Sequence, residues 1–405
     1  MSNLALPNAS VAPVGAPTDT VPRSWIASVA FRTVGQVGAR VGLAWIGVIA
    51  FCAVFSPLLT NSYPLLVKMN DQWSSPLARH MTAVDWTLLF MSAVGLGLLI
   101  LRSVPLFKRT LILLGLGAIM LTVLLVTLDP IRTKVYDEYR TYHRSGAVQW
   151  SLHVPIPYSP SDRLRDQFDA SRPHPWAPST DHWMGTDNNG SDILSNMIHG
   201  CRIAMSVGFI STGLALVIGI FVGAMMGYFA GVVDLVGMRL VEIFSAIPRL
   251  YLLLAFVAFY DRNIYIIMAI IGITGWVGDA RFVRAEFLKL RNLDFVHAAI
   301  AAGLPLRSVL FRHILPNALA PLLVSASFGV ASAILAESTL SFLGLGLIDE
   351  PSWGRLLDQA RAGGGGFHWW LATFPGIAIF LTVLAYNLIG ESLRDALDPK
   401  IISGH

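Results

Sequence analysis

Eight long apolar stretches constrain this chain more than any other feature of its sequence. Each approaches the ~20 residues that an α-helix needs to cross a bilayer at a rise of ~1.5 Å per residue. They predict an all-α polytopic membrane protein, although 405 residues could otherwise form two or three soluble domains. The predicted spans are 41–60, 86–102, 110–128, 203–228, 236–260, 263–284, 317–346 and 371–392.

Composition and charge favour a lipid bilayer over nucleic acid as the partner of this chain. The chain is 54% hydrophobic and 13% charged, with mean hydropathy +0.61, well outside the usual range of a soluble domain. Its net charge is +4, but the basic residues adjoin apolar spans and form no long run. Cys52 lies inside an apolar run, far in sequence from Cys201, so neither a disulfide nor a metal site is expected.

The arginines and lysines predict that both termini are cytoplasmic. They form four clusters, and all four fall on one face of the membrane if the N-terminus is inside. Residues 1–40 are then a cytoplasmic tail, whose first 22 residues lack a signal-peptide pattern, and 394–405 form a second tail. The clusters lie at 23–40, 102–109, 281–312 and 394–400.

A long polar segment, 129–201, follows the third span and lies outside in this orientation. Loops of this length are usually functional. Near its end the turn-forming sequence GTDNNG precedes Ser191 and Asp192. Either side chain would cap an amphipathic helix from Ile193 to His199.

One polar, basic stretch, 295–317, interrupts the apolar half of the chain. Phe295 to Leu304 is rich in alanine and predicts a short helix, which Gly303 and Pro305 end. A second helical stretch follows and leads into the next span. Taken alone, the pattern is also compatible with an ordinary helix–turn–helix loop between two spans.

The same stretch resembles the coupling loop of bacterial ABC-importer permeases. In that loop an Ala-Ala pair, a glycine and an Ile-Leu-Pro triplet recur at the spacing seen here, although His297 replaces the usual acidic residue. The resemblance implies that 285–316 is a rigid cytoplasmic element which partner ATPase subunits grip. The coupling residues it implies are Phe295, His297, Ala298, Ala299, Gly303, Leu304, Arg307, Arg312 and Pro316.

Further segments resemble, in order, the second permease subunit of dipeptide- and oligopeptide-type ABC importers. They include GTDNNGSDILS at 185–195, GYFAGVVDLVGMRLVEIFSAIP at 227–248 and ESTLSFLGLG at 337–346. The resemblance implies a type I importer fold, with a five-helix core within 202–393 plus an N-terminal helix. Region 41–128 departs from the family because it adds a transmembrane hairpin to that helix.

The resemblance also implies a location and a set of partners. The chain would be a non-catalytic, multi-pass subunit of the bacterial inner membrane, working with a homologous permease, two ATPase subunits and an extracytoplasmic substrate-binding protein. Its enlarged outer segment is similar to that of microcin-C-type importers, which favours a peptide substrate. Trp150, Trp176 and Trp183 suit a surface where the binding protein docks, since aromatic residues are enriched at interfaces. The alternative is that this segment only covers the bundle.

Three ionisable residues in the spans are candidates for a polar translocation path. Such groups are costly in a bilayer and often functional. Glu242 and Arg249 are seven residues apart, on one face of the fifth span, and Glu337 lies in the seventh. Pro248 between the first two suggests a bend, and Glu242 could instead lie near the cytoplasmic interface. Close helix packing is predicted separately at Gly219, Gly223 and Gly227.

Several sequence motifs of ATP-hydrolysing and hydrolytic enzymes are absent from this chain. The sequence contains no GxxxxGK[ST], HExxH or GxSxG pattern, so we expect no ATP hydrolysis, catalytic residue, cofactor or metal in this chain. An alternative function is a gradient-driven secondary transporter, which the intramembrane carboxylates would suit. Such transporters usually show internal repeats of the whole bundle, and none is evident here. An intramembrane enzyme is disfavoured because no catalytic constellation occurs.

Overall fold

The structure, a computed structural model, describes residues 25–100, 105–128, 135–167, 174–260, 262–347, 350–362 and 366–397. Within these ranges seven helices are long and apolar enough to cross a bilayer, and a sharply bent pair makes an eighth if it counts as one span. A helix satisfies its backbone polar groups within one segment, as a bilayer requires. The predicted helical, polytopic fold class is confirmed.

The N-terminal half contains the first three spans and most of the outer segment. Its elements are α1 (Trp25–Gly35), α2 (Val37–Leu59), β1 (Leu66–Met69), β2 (Gln72–Ser74), α3 (Pro76–His80), α4 (Ala83–Ile100), α5 (Leu106–Thr127), α6 (Glu138–Arg144) and β3 (Val148–Leu152). The predicted cytoplasmic tail 1–40 therefore contains a helix from Trp25 onward, and residues 1–24 lie outside the described ranges.

The C-terminal half contains the remaining spans. Its elements are α7 (Ile193–Phe229), α8 (Gly231–Ala246), α9 (Arg249–Phe259), α10 (Ile264–Leu290), α11 (Asp294–Ala301), α12 (Leu306–Ser308), α13 (Leu315–Phe342), α14 (Trp353–Ala362) and α15 (Trp369–Leu397). The tail predicted at 394–405 begins inside α15, and residues 398–405 lie outside the described ranges.

The fifth predicted span, 236–260, is two helices rather than one. α8 and α9 meet at Pro248 with an angle of 80° between them. Proline removes a backbone donor and its ring clashes with the preceding turn, so the helix cannot continue straight through it. The bend separates Glu242 from Arg249, which the sequence placed on one face of a single helix.

Helix α7 is longer than expected. The amphipathic helix predicted at 193–199 and the span predicted at 203–228 are one continuous helix of 37 residues, about 55 Å long. Asp192 caps it, because its Oδ1 accepts a hydrogen bond of 2.8 Å from the Ser195 amide. The boundary drawn at 201/202 between the outer segment and the core is therefore not a structural break.

The most extensive helix–helix contact in the core joins α7 to α10, and it is close. A Cβ added at Gly223 would stand 2.5 Å from the Ala280 carbonyl oxygen, and one added at Gly227 would stand 2.6 Å from Cβ of Phe287. Only glycine lets the two backbones approach this closely. The predicted role of these glycines in helix packing is confirmed, and α2, α13 and α15 complete the bundle around α7 and α10.

The additional hairpin, α4 and α5, lies at the edge of this bundle. Only 11% and 6% of the residues in the apolar parts of the two helices are buried, so most of the hairpin surface is available to lipid. One ionic contact ties it to the core, because Arg202 Nη1 of α7 donates to Asp85 Oδ1 of α4 over 2.6 Å.

A small sheet in the outer segment was not predicted. Its antiparallel strands are ordered β2-β1-β3. Asn70 and Asp71, both at positive φ, form the tight turn of the β1–β2 hairpin. β1 lies in the connection between the first two spans and pairs with β3, about 80 residues later in the chain, with Leu66 opposite Leu152. The outer segment and this connection thus form one sheet.

Candidate functional site

A cavity of about 360 Å³, with a mostly apolar wall, lies between α7, α9, α10 and α13. Two oppositely charged side chains border it, Arg249 at the first position of α9 and Asp279 in α10. Arg249 faces the cavity because the bend at Pro248 begins a new helix there. Charged groups in the middle of a membrane bundle are costly, and they commonly mark a substrate path.

Two serines of α13 hold these charges. Arg249 Nη1 donates to Ser332 Oγ over 2.9 Å, and Ser325 Oγ donates to Asp279 Oδ1 over 2.6 Å. Ser325 and Ser332 are seven residues apart, so they lie on one face of α13, two turns from each other. The cavity therefore presents a positive and a negative group at different heights along one helix.

The other two path candidates lie elsewhere. Glu242 is half exposed on α8 and accepts a hydrogen bond of 2.6 Å from Arg239. Glu337 is buried in α13, where Ser341 Oγ donates to its carboxylate over 2.7 Å. Neither borders the Arg249 cavity. Sequence reasoning missed Asp279, although an acidic residue inside the apolar stretch 263–284 was a usable signal.

The stretch resembling a coupling loop is a short helix that protrudes from one end of the bundle. Val296 and Ala299 of α11 are buried against α10 and α13, in a cluster with Phe287. The helix ends as predicted, because Gly303 adopts φ +74°, a conformation that favours glycine. This packing fixes α11 rigidly to the ends of two membrane helices.

Apolar side chains beside the buried face of α11, and just after the end of this helix, are partly exposed. Phe295, Ile300 and Leu304 expose 39%, 49% and 38% of their surface. His297 and Ala298 are also exposed, whereas Ala299, which the sequence grouped with them, points into the core. Ile300 was missed by the sequence motif, which emphasises the alanines, although it is the most exposed apolar side chain of the helix.

The second part of this stretch does not form a separate loop helix. α12 continues through a wide π-helical turn, Val309–Ile314, directly into α13. Such turns are rare and frequently occur at functional sites. Exposed residues of this part are Arg307, Arg312 and Pro316.

Several tryptophans lie on or near the surface of the outer segment and of the adjoining sheet. Trp150 of β3 packs edge to face against Trp73 of β2, with ring centroids 5.4 Å apart, and both are exposed. Trp183 is also exposed. Trp176 is half-buried and packs against the rings of His174 and His182, so it supports the surface rather than forming it.

An ionic cluster braces the same segment. Arg140 of α6 donates to both Asp162 and Asp166, with shortest distances of 2.6 and 2.7 Å. Burial alone would raise the pKa of Asp166, but the hydrogen bonds and charge of Arg140 outweigh burial and hold that pKa below its usual value. These contacts make the outer segment a structured unit with a defined surface.

Comparison with known proteins identifies the family. The profile of the binding-protein-dependent transport system inner membrane component matches residues 219–403. The inner membrane ABC transporter permease protein YejE of Escherichia coli is 32% identical over 88% of this chain and 92% of its own length. The chain belongs to the inner-membrane permeases of binding-protein-dependent ABC transporters.

Other relatives of this permease match a shorter part of it. The oligopeptide transport system permease protein OppC of Haemophilus influenzae is 42% identical over 54% of the chain and 70% of its own length. The dipeptide permease DppC of Alkalihalophilus pseudofirmus is 37% identical over 60% and 77%. The longer match with YejE must include most of the residues before α7, where the additional hairpin and the sheet lie.

Proposed function

We propose that this permease is one membrane subunit of an ATP-driven peptide importer. The observation that carries the proposal is α11, a helix held rigidly by its buried face and presenting exposed apolar side chains, Phe295 and Ile300 among them. An exposed apolar patch on a rigid helix is suited to a partner surface. Here the partner is an ATPase subunit, and its movements pass through α11 to α10 and α13.

Peptides are the substrate class that fits best. Most of the relatives described above carry peptide transport in their names, and the Arg249 cavity offers both signs of charge. A peptide carries a positive and a negative end whatever its side chains, so this combination suits peptides as a class. The ATPase and substrate-binding activities reside on other subunits.

The assembly we propose contains a second, homologous permease and two ATPase subunits, in the type I importer arrangement. The exposed apolar surface of α8 and α9 supports this arrangement. Val232 and Leu235 of α8 and Tyr251 of α9 expose between 60% and 76% of their surface. Within α8 and α9 only Val241, Leu253 and Val257 are buried in the bundle, which suits a contact with a second subunit.

We infer that α11 lies in the cytoplasm and that both termini are cytoplasmic. Lys108 and Arg109 lie at the start of α5, and the basic residues of 281–312 lie from the end of α10 to the start of α13. The positive-inside rule puts such clusters in the cytoplasm. Reaction of a cysteine placed at 286–312 with a membrane-impermeant reagent added outside would contradict this orientation.

The function is tested by purifying the tagged chain from cells that express its neighbouring genes. We expect an ATPase subunit and a second permease to co-purify, and uptake of labelled tri- and tetrapeptides to stop when the gene is deleted and return when it is restored. The contrasting result is accumulation of peptide by the chain alone in vesicles with an ion gradient and no ATPase. That result would support the alternative of a secondary transporter.

We also propose that the exposed tryptophans of the outer segment contact a substrate-binding protein. Deleting 140–175 would be a poor test, because it removes β3 and the Arg140 cluster together. The double variant W150A/W183A is sharper. Truncating a buried interface tryptophan commonly costs about 2 kcal/mol or more. Because about 1.4 kcal/mol is tenfold in affinity, the loaded binding protein should be needed at roughly thirtyfold higher concentration or more for half-maximal ATPase stimulation.

The control for this prediction is Phe107→Ala, since Phe107 is an exposed aromatic residue on the additional hairpin, away from the outer segment. Its stimulation curve should match that of the unmodified complex, and basal ATPase activity should be unchanged in both variants. Identical curves for W150A/W183A and the unmodified complex would show that the outer segment only covers the bundle.

A further inference from the structure

We propose that the cavity between α7, α9, α10 and α13 is a binding site that reads the two ends of a short peptide. The carboxylate end binds Arg249 and the ammonium end binds Asp279. The inference rests on the proposed function and deepens it, because it assigns to the permease itself a recognition step that would otherwise belong to the binding protein.

The first argument is that both charges are only partly satisfied. Arginine has five N–H donors, and in the described structure Arg249 uses one of them on Ser332, while its Nε is buried without a partner. Asp279 accepts from Ser325 through one carboxylate oxygen. No salt bridge joins the two groups in the part of the chain that the structure describes. Each therefore keeps capacity for an ionic partner.

The second argument is their spacing. A Cβ added at Gly275 would stand 3.3 Å from Arg249 Nη2, so the guanidinium lies at the height of Gly275 on α10. Asp279 is four residues further along, which is about 6 Å down the helix axis. The ends of a di- or tripeptide are separated by roughly 7 to 10 Å when extended. A peptide lying obliquely between α9 and α10 can reach both charges.

The third argument is the remaining wall of the cavity. Gly275, Gly278 and Gly329 line it together with Ala215 and Ala333. An added Cβ at Gly278 would meet nothing within 4 Å. Free space at Gly278 leaves room for a substrate side chain, and Phe282 and Phe328 add apolar wall. The volume of about 360 Å³ lies at the lower end of the range of small-ligand pockets, roughly 300 to 1,000 Å³. The site thus binds the two charged termini of a peptide and accepts peptides of different sequence.

The test is a competition experiment on the purified, complete transporter without its binding protein. Radiolabelled trialanine is bound, then displaced by unlabelled trialanine, trialanine amide or N-acetyl-trialanine. For the unmodified complex we expect the amide and the acetylated peptide to compete at least tenfold more weakly than free trialanine. Omitting the binding protein ensures that its own selectivity does not contribute.

Two variants then assign each end. R249Q should remove the preference for a free carboxylate, so that trialanine and its amide compete equally, while the preference for a free amino end persists. D279N should do the reverse. R249K keeps the positive charge and should keep the preference for a free carboxylate. This variant still tests the role of the charge if R249Q fails to assemble. The control is S327A, a serine of the same helix that does not line the cavity.

Three results would overturn the inference while the transporter still imports peptide. They are no binding of trialanine at millimolar concentration, equal competition by all three peptides in the unmodified complex, and an equal loss for all three peptides in R249Q, as a structural role would produce. Failure of the proposed function is distinguishable, because the complete transporter with its binding protein would then import no peptide at all.

Discussion

Replacing Gly223 with valine is expected to prevent the permease from accumulating as a folded protein. The added Cβ would stand 2.5 Å from the Ala280 carbonyl oxygen and 2.7 Å from Cβ of Val283. The first of these contacts is with backbone, so no side-chain rotation relieves it, and α7 and α10 would have to separate. Overpacking a core costs about 1–3 kcal/mol when side chains can adjust, and we expect the upper end of that range or more.

The measurement is the yield and thermal stability of the protein purified in detergent. Gly213→Val is the matched control, because it makes the same change in the same helix at an exposed position where an added Cβ would meet nothing within 4 Å. Its melting temperature should stay within a few degrees of the unmodified value. Equal losses in the two variants would mean that valine itself, rather than the contact with α10, is responsible.

Replacing Gly303 with aspartate is expected to abolish transport while leaving the protein folded. An added Cβ at Gly303 meets nothing within 4 Å, so the cost to folding comes from its φ of +74°. Asparagine and aspartate tolerate this conformation better than other side chains. The variant should therefore reach the membrane in normal amounts. The new charge lies where α11 ends, beside the surface that we assign to the ATPase.

The measurement is ATPase stimulation by loaded binding protein in the assembled complex, which we expect to fall at least tenfold. Gly303→Asn is the control, since it has the same size and the same backbone strain without the charge, and we expect it to retain most of the stimulation. Full uptake and normal stimulation in the aspartate variant would remove the coupling role from α11.

Local sequence patterns predicted the spans and the ends of α11 well. Apolar length alone is enough to locate a membrane helix, and Gly303 and Pro305 stop α11 through their own backbone preferences. The sequence patterns were less successful where one predicted span is divided into two helices and where two predicted helices are one. Pro248 divides one expected span by 80°, and α7 runs unbroken through residues 193–229 because no proline or other strong breaker interrupts it.

Side-chain exposure in the surfaces that we propose for coupling and docking was predicted only in part. Motif reasoning selected Ala299, which is buried, and overlooked Ile300, which is exposed. The side of a short helix that faces outward depends on which of its residues packs against α10 and α13, and those contacts come from distant parts of the chain. The same reason applies to Trp73, which contacts Trp150 only because β1 pairs both with β2 and with β3, a strand beyond the additional hairpin.

The sequence by itself determined the helical membrane fold, the close helix packing at Gly223 and the short helix that Gly303 ends. Each of these follows from apolar length, residue size or backbone preference within one segment. Only the tertiary structure decided that Arg249 and Asp279 border one cavity and that Glu242 and Glu337 lie outside it. The physical reason is that a cavity is the space left between helices. Its lining depends on the bend at Pro248 and on the rotation of α10 and α13 about their axes, which packing sets and local sequence does not.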